Sequence, residues 1–278
     1  MKPALFDYIR PKSLEEALIA LSEGEEATVI AGGQSLLPML NLRVALAERL
    51  VDISRLHELR TVSEGEQTFS CGALVTHAAI EDGLGHDAFN GLLQKIASKI
   101  AYRAVRNMGT IGGSLSLCDP SADWPVCLLA LGANVVLASR EGERCLPIED
   151  FLVDAYTTAL EPGELLVRIA IPKQGNCAWG VSKVNRKSGA FADSLAIAIL
   201  GNDDQPARVA LGGTASCARL LADTSALLNQ QPDLGTDALS SAIANDVAAV
   251  HQEATPYQLR CHIHTATCAI AEARSWSR

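Results

Sequence analysis

Asn107-Met108-Gly109-Thr110-Ile111-Gly112-Gly113-Ser114, read as NMGTIGGS, stands between an apolar-periodic segment and a short run that ends in Asp119, Pro120 and Asp123. Its glycines leave backbone N–H groups open to a ligand, with no side chain in the way. Upstream lies a second small-residue turn, Ala31-Gly32-Gly33-Gln34-Ser35-Leu36, running directly out of the apolar stretch Ala27 to Ala31 (ATVIA). A strand that ends in a glycine turn brings phosphate to backbone amides. Two such turns, each carrying hydroxyl residues, are expected to close around one diphosphate with amides from both directed at it. Neither GxGxxG nor GxxxxGK[ST] occurs, so no standard nucleotide fingerprint stands behind that expectation. Taken alone, AGGQSL is an ordinary turn.

Working outward, Ser13-Leu14-Glu15-Glu16 has the form of a capping box, and Leu14, Ala17, Leu18 and Leu21 follow at helical spacing up to Gly24. Strands are expected at 27–31, 49–53 and 68–73, with a short helix or irregular turn around Pro38 and a helix start at Thr76. Phe89, Leu92, Leu93, Ile96, Ala97, Ile100 and Ala101 form one apolar stripe, which predicts a single helix ending near Val105 or Arg106. A buried helix follows at 125–131, with Pro125 in its first turn, then β-rich segments at 134–139 and 165–171. Beyond Pro172 the pattern changes to strands at 178–185, 195–200 and 208–211, then helices at 219–228, 237–250 and 257–273. Strands followed by helices predict a second α+β domain, with the boundary near Gln174 to Cys177.

With 278 residues, 48% hydrophobic and 20% charged, the chain has enough apolar material for a sizeable core. A net charge of −9 argues against nucleic acid or an anionic membrane surface as partner. Apolar runs such as 195–200 fall far short of the roughly 20 residues of a membrane-spanning helix, and Met1 to Arg10 lacks the apolar core of a secretory signal. A cytoplasmic protein without membrane insertion is expected. The eight cysteines are scattered with no CxxC, which predicts reduced thiols and neither a structural zinc nor an iron–sulfur site on this chain. His262 and His264 are two apart, so they do not share a helical face, and His57, His77, His86 and His251 stand isolated along the chain. No metal ligands and no hydrolytic set are identified. By themselves, Asp123 is a solvated loop residue and Lys183 a surface lysine.

Several segments in register carry a resemblance over nearly the whole length: FDYIRPKSLEEAL, AGGQSLLPML, GALVTHAAIE, IASKIAYRAVRNMGTIGGSL, PSADWPVCLLALGANVVL, ELLVRIAIP, KVNRKSGAFA and the closing YQLRCHIHTATCAIAEA. With these, the chain resembles the FAD-binding medium subunit of molybdenum-containing hydroxylases, the family of carbon monoxide dehydrogenase and xanthine dehydrogenase. The resemblance implies an α+β fold. A two-part, diphosphate-clamping FAD-binding domain of the PCMH type spans residues 1–175 (parts of about 1–55 and 56–175), and a smaller C-terminal α+β domain spans 176–278.

It also implies non-covalent FAD, with Ala31, Gly32, Gly33, Gln34, Ser35 and Leu36 on one side of the diphosphate and Thr110, Ile111, Gly112, Gly113 and Ser114 on the other. Asp123 matches the acid that takes the adenosine ribose hydroxyls, Ile100 and Leu166 match apolar ring or adenine contacts, and Lys183 matches a basic residue near the flavin. Thr76 is a further candidate. Serine at 114 departs from the family's usual asparagine and is shorter, which favours a water-mediated contact there. The implied role is electron transfer. A large partner subunit carries the molybdenum cofactor and a small one carries two [2Fe–2S] clusters, in a dimer of heterotrimers. Electrons pass from the clusters through FAD to an external acceptor, with no catalytic residue on this chain. Two alternatives are a stand-alone FAD-dependent oxidase and a cofactor-free scaffold subunit. A bulky residue at Gly112 is expected to separate the scaffold from a flavin site.

Overall fold

The computed structural model describes residues 2–23, 27–85, 87–173, 177–201 and 205–276. Gly24, His86 and residues 174–176 of the expected domain boundary lie outside the described residues.

The first layer is a small parallel sheet of order β1-β3-β2, from β1 (Asp7–Ile9), β2 (Ala27–Ile30) and β3 (Arg49–Asp52), with α1 (Leu14–Ser22) and α2 (Leu36–Leu42). Ser13 caps α1 by accepting the Glu16 amide, but the Glu16 carboxylate reaches back to the Lys12 amide at 2.7 Å, one residue before the cap.

The second layer is an antiparallel sheet of order β4-β5-β10-β6-β7, from β4 (Val62–Glu64), β5 (Thr68–Gly72), β6 (Asn134–Ser139), β7 (Gly142–Pro147) and β10 (Leu165–Pro172), beside the hairpin β8 (Leu152–Asp154) and β9 (Thr157–Thr158). Alternation along β6 sends Val135 and Leu137 to one core and Val136 and Ala138 to another. On β10 a bulge between Leu166 and Arg168 shifts that alternation. Leu165 and Val167 face the core shared with α1, whereas Ile169 and Ile171 face the helices on the opposite side.

Those helices are α3 (His77–Glu81), α4 (Leu92–Lys99), α5 (Arg103–Arg106), α6 (Ile111–Leu117), α7 (Asp123–Ala130) and α8 (Ile148–Phe151). The single helix expected through Val105 is two. The apolar stripe ends at Ile100, the cap of α4, and Ala101 takes φ +42° before α5 begins. The glycine stretch is likewise not all loop, because α6 starts inside it, capped by Thr110. All eight residues of α7 are buried, as expected of a helix that is apolar all round.

The third layer is the antiparallel sheet β11 (Trp179–Val184), β12 (Ser194–Ile199), β13 (Arg208–Gly212) and β14 (Arg219–Leu220), with α9 (Ala222–Gln230), α10 (Thr236–Val250) and α11 (Pro256–Ser275). Residues 219–220, expected to open a helix, pair instead with β13, and the helix begins at Ala222. Leu195, Ile197 and Ile199 face α7 and share its core, while Ala196 and Ala198 face α11. A methyl built at Gly180 would stand 2.0 Å from the Ala269 carbonyl oxygen, so α11 lies directly on β11.

Two of the histidines expected to stand isolated, His77 and His251, have partners. His251 Nδ1 meets His262 Nε2 at 3.0 Å, and His262 Nδ1 meets the Ser194 hydroxyl at 2.8 Å, all buried between β12 and α11. Among the described residues no metal-holding cluster occurs, and no helix is long and apolar enough to cross a membrane.

Candidate functional site

The two glycine turns meet. The first leaves β2, passes through Gly33 at φ +69°, and enters α2 at Leu36. The second leaves α5 and is tied to α3 at two points. The His77 amide donates to the Gly109 carbonyl at 3.0 Å, and Thr76 forms an isolated bridge with Thr110. A methyl on Gly32 would stand 2.0 Å from the Met108 carbonyl oxygen and 3.0 Å from the Gly109 α-carbon. The contact is backbone against backbone, and only glycine permits it. On the other side, a methyl at Gly113 would stand 3.9 Å from the Ala31 β-carbon.

Their amides differ, which corrects the expectation that both turns direct N–H groups at a ligand. In the second turn every amide from Ile111 to Ser114 is already engaged. Ile111 donates to Val75 at 3.0 Å and Gly112 to Ala73 at 2.9 Å. Gly113 donates to the Thr110 hydroxyl at 3.1 Å and Ser114 to the Thr110 carbonyl at 3.1 Å. The reason is that α6 begins there and its orphan N–H groups find acceptors on the chain just after β5. In the first turn the amides of Gly32, Gly33, Gln34, Ser35 and Leu36 donate to no acceptor among the described residues, and Ser35 makes no side-chain cap. The free donors are therefore at 32–36, and the second turn supplies a wall without side chains.

A cavity of about 520 Å³ opens between them. Ala31, Gly32, Gly33, Gln34, Ser35 and Leu36 line one side. Gly112, Gly113 and Ser114 line the facing side, with Ile100, Leu166 and Asp123 further along the wall. Thr76, Thr110, Ile111 and Lys183 stand behind that surface. Thr76 and Thr110 cap α3 and α6, Ile111 is fully buried, and Lys183 is engaged with Asp123. His77, Ala101, Asp119 and Phe191 also line the cavity. Sequence reasoning missed them, although a large exposed aromatic beside Gly189, in a connection between strands, was a signal available at Phe191.

Asp123 and Lys183 were expected at different parts of a ligand, and the structure joins them. The Lys183 ammonium lies 2.8 and 3.1 Å from the two Asp123 carboxylate oxygens, with side-chain exposures of only 9% and 6%. Burial pushes the Asp123 carboxyl above its usual range, and Lys183 opposes that shift. Among the described residues no lysine or arginine lines the cavity, so an anion there is met by amides and hydroxyls.

Beneath the second turn, Trp124 Nε1–H donates to His77 Nδ1 at 2.9 Å, which leaves the His77 proton on Nε2, next to Gly109. Burial, aided by the Arg106 charge, pushes His77 down to about 4. Burial and the neighbouring His251 push His262 down to about 4 as well. Both histidines stay neutral in the folded chain and take a proton near pH 6.5 once it unfolds, so stability falls as pH drops from about 6.5 towards 4. Each contributes a slope of at most about 1.4 kcal/mol per pH unit. Urea unfolding between pH 7 and 4.5 is expected to show this loss, and His77→Gln to flatten it by one proton. An unchanged slope in that variant would refute the assignment.

A family model described as the FAD binding domain in molybdopterin dehydrogenase matches residues 4–174. The chain is 39% identical over 207 residues to subunit alpha of the 6-hydroxypseudooxynicotine dehydrogenase complex of Paenarthrobacter nicotinovorans, covering 74% of this chain and 70% of that one. It is 37% identical over 224 residues to the carbon monoxide dehydrogenase medium chain of Hydrogenophaga pseudoflava, covering 78% of each. A solved structure of carbon monoxide dehydrogenase from Hydrogenophaga pseudoflava, lacking the Mo-pyranopterin moiety of the molybdenum cofactor, superposes with a TM-score of 0.92 at 31% identity over 99% of both chains.

Proposed function

Because this chain belongs to the family of FAD-binding domains in molybdopterin dehydrogenases, and is thereby an oxidoreductase component, we propose that it is the electron-transfer subunit of a molybdenum-containing hydroxylase or dehydrogenase. Its large partner would carry the molybdenum cofactor and its small partner two [2Fe–2S] clusters, as a dimer of heterotrimers in the cytoplasm. The relatives' names, subunit alpha and medium chain, support an assembly over a stand-alone oxidase. Unpaired thiols at Cys71, Cys118, Cys127, Cys145, Cys217, Cys261 and Cys268 suit a reducing compartment.

The residues present fit FAD. Five consecutive unengaged amides at 32–36 offer donors for a diphosphate, and the glycine wall at 112–113 lets it approach. Ser114 lines the same wall and offers a hydroxyl, while Thr110, behind it, holds the turn. Asp123 is suited to accept two ribose hydroxyls, since a carboxylate takes charge-assisted hydrogen bonds on both oxygens. Lys183 balances that carboxylate and fixes its orientation. Ile100 and Leu166 give apolar flanks and exclude water. When bound, FAD accepts electrons singly and can release them in pairs, which suits a carrier between iron–sulfur clusters and an external acceptor. The chain's own residues bind, orient and shield, and none is asked to move a proton.

The observation that carries this reading is the backbone contact of Gly32 with Met108 and Gly109 beneath a row of open amides. The gently purified chain or complex is expected to be yellow, with one FAD released on denaturation, and to co-purify with a molybdenum-containing large chain and a cysteine-rich small one. A colourless protein that takes up no added FAD would overturn the reading.

A further inference from the structure

Arg106 is buried, lies outside the cavity lining, and makes an unusual set of contacts. Its Nε and Nη2 form a fork on the Glu81 carboxylate, both at 2.8 Å. Its remaining nitrogen, Nη1, donates to the carbonyls of Ile100 at 2.8 Å and Ala101 at 3.1 Å. Those carbonyls end α4, where no intrahelical donor is left for them. Ala101 holds φ +42°, a conformation that costs a residue with a β-carbon and costs glycine nothing. From the other side Gly189 presses on the same turn, since a methyl there would stand 2.7 Å from the Ala101 carbonyl oxygen. Ile100 and Ala101 both line the cavity.

The anchor is itself anchored. Glu81 also receives Arg103 at 2.7 Å, and Arg103 reaches Asp82. The Arg106 guanidinium, with Arg103 behind it, holds the Glu81 carboxyl below its usual range. The two carboxylates that receive these arginines, Glu81 and Asp82, sit at the end of α3, the short helix whose start holds Gly109 and Thr110. One five-residue helix thus fixes both ends of the 100–110 segment, the glycine turn at one end and the left-handed Ala101 turn at the other.

We propose that Arg106 is a positioning residue for the cofactor: docked on Glu81, it holds the Ile100–Ala101 turn in the cavity wall, and FAD affinity depends on that hold. This rests on the cavity being the FAD site.

The test is titration of the full chain, stripped of flavin, with FAD, following flavin fluorescence and the visible circular dichroism of the bound ligand. Arg106→Lys, which keeps the charge and loses the fork, is expected to weaken FAD tenfold or more and to change the visible dichroism. Ala101→Gly alone is titrated as the reference against which the double variant is read. Because glycine adopts the left-handed turn without help, the double variant should regain most of what Arg106→Lys lost, a rescue that a general loss of stability would not produce. Should Arg106→Lys fail to fold, Glu81→Gln serves in its place, with the same direction, a smaller effect and the same rescue. Wild-type affinity in Arg106→Lys, or a double variant no better than the single, would overturn the proposal while leaving the FAD site intact. A wild-type chain that binds no FAD would remove both.

Discussion

A chain carrying Gly113→Val is expected to fold and to purify without flavin. The nearest atom to a β-carbon at Gly113 is the Thr110 hydroxyl oxygen at 2.9 Å, the tip of a side chain that can rotate, and the next is the Ala31 β-carbon at 3.9 Å. Beyond them is the cavity, so the valine methyls would fill the gap between the two turns. Disturbing the Thr110 cap costs about 1 kcal/mol, which the fold should survive. A diphosphate displaced from its donors should lose about a thousandfold in affinity, roughly 4 kcal/mol. Flavin absorbance relative to protein, read beside far-ultraviolet dichroism, measures both halves. A folded variant with wild-type flavin content would place the ligand elsewhere. Gly112, the position that sequence alone selects, cannot serve. A methyl there would lie 2.5 Å from the Ala73 β-carbon and 2.7 Å from its carbonyl oxygen, so any side chain damages the seat of α6 whether or not FAD binds.

Breaking the Asp123–Lys183 pair should have the second large effect, and an asymmetric one. Asp123→Ala leaves a buried ammonium without a partner, a change that costs about 3–5 kcal/mol. For a chain of this size that is a fall in melting temperature on the order of 10 °C. Lys183→Met leaves a buried carboxyl, which can escape by taking a proton, and its affinity for protons is already raised by burial. The sign follows from linkage. A carboxyl whose folded-state pKa lies above its unfolded value binds more protons folded than unfolded, so stability declines as pH rises between the two. Measured against the wild-type chain at the same pH, Lys183→Met should therefore lose less stability at pH 5 than at pH 7.5, and Asp123→Ala should not share that trend. The double replacement Asp123→Leu with Lys183→Met should recover most of the stability, since apolar pairs replace buried ion pairs without large cost, yet bind FAD poorly for want of the carboxylate. If the double variant keeps full FAD affinity, Asp123 has no part in holding the ribose.

Much of this was legible in the chain because it is written locally. Ser13 and Thr76 each precede a helix they cap, and the β-rich runs expected at 134–139 and 195–200 became strands, the second at Ser194–Ile199. The two glycine turns were visible as composition, and that they meet was an inference the coordinates bear out at Gly32 and Met108. What escaped depends on partners distant in sequence. The stripe through Ala101 gives no hint of a break, because the break is held by Arg106 and Glu81. The spent amides of Ile111 and Gly112 follow from carbonyls at Val75 and Ala73, far earlier in the chain. His77 looked solitary because its partner, Trp124, is 47 positions away. Lys183 looked like a surface residue because nothing near it in sequence marks the carboxylate that buries it.

The helix α7 packs against α4, α6 and α8 of the second layer and against β12 and β13 of the third, and its first residue is Asp123. It works as a shared wall between two rooms. A ligand that binds only the native arrangement stabilises that arrangement as a whole, by an amount set by its concentration over its dissociation constant. Loading the cofactor at one end of α7 therefore tightens the third layer well beyond the Gly189–Phe191 connection that lines the cavity, and a subunit that reached its partners empty would present them with a looser C-terminal sheet than one already filled.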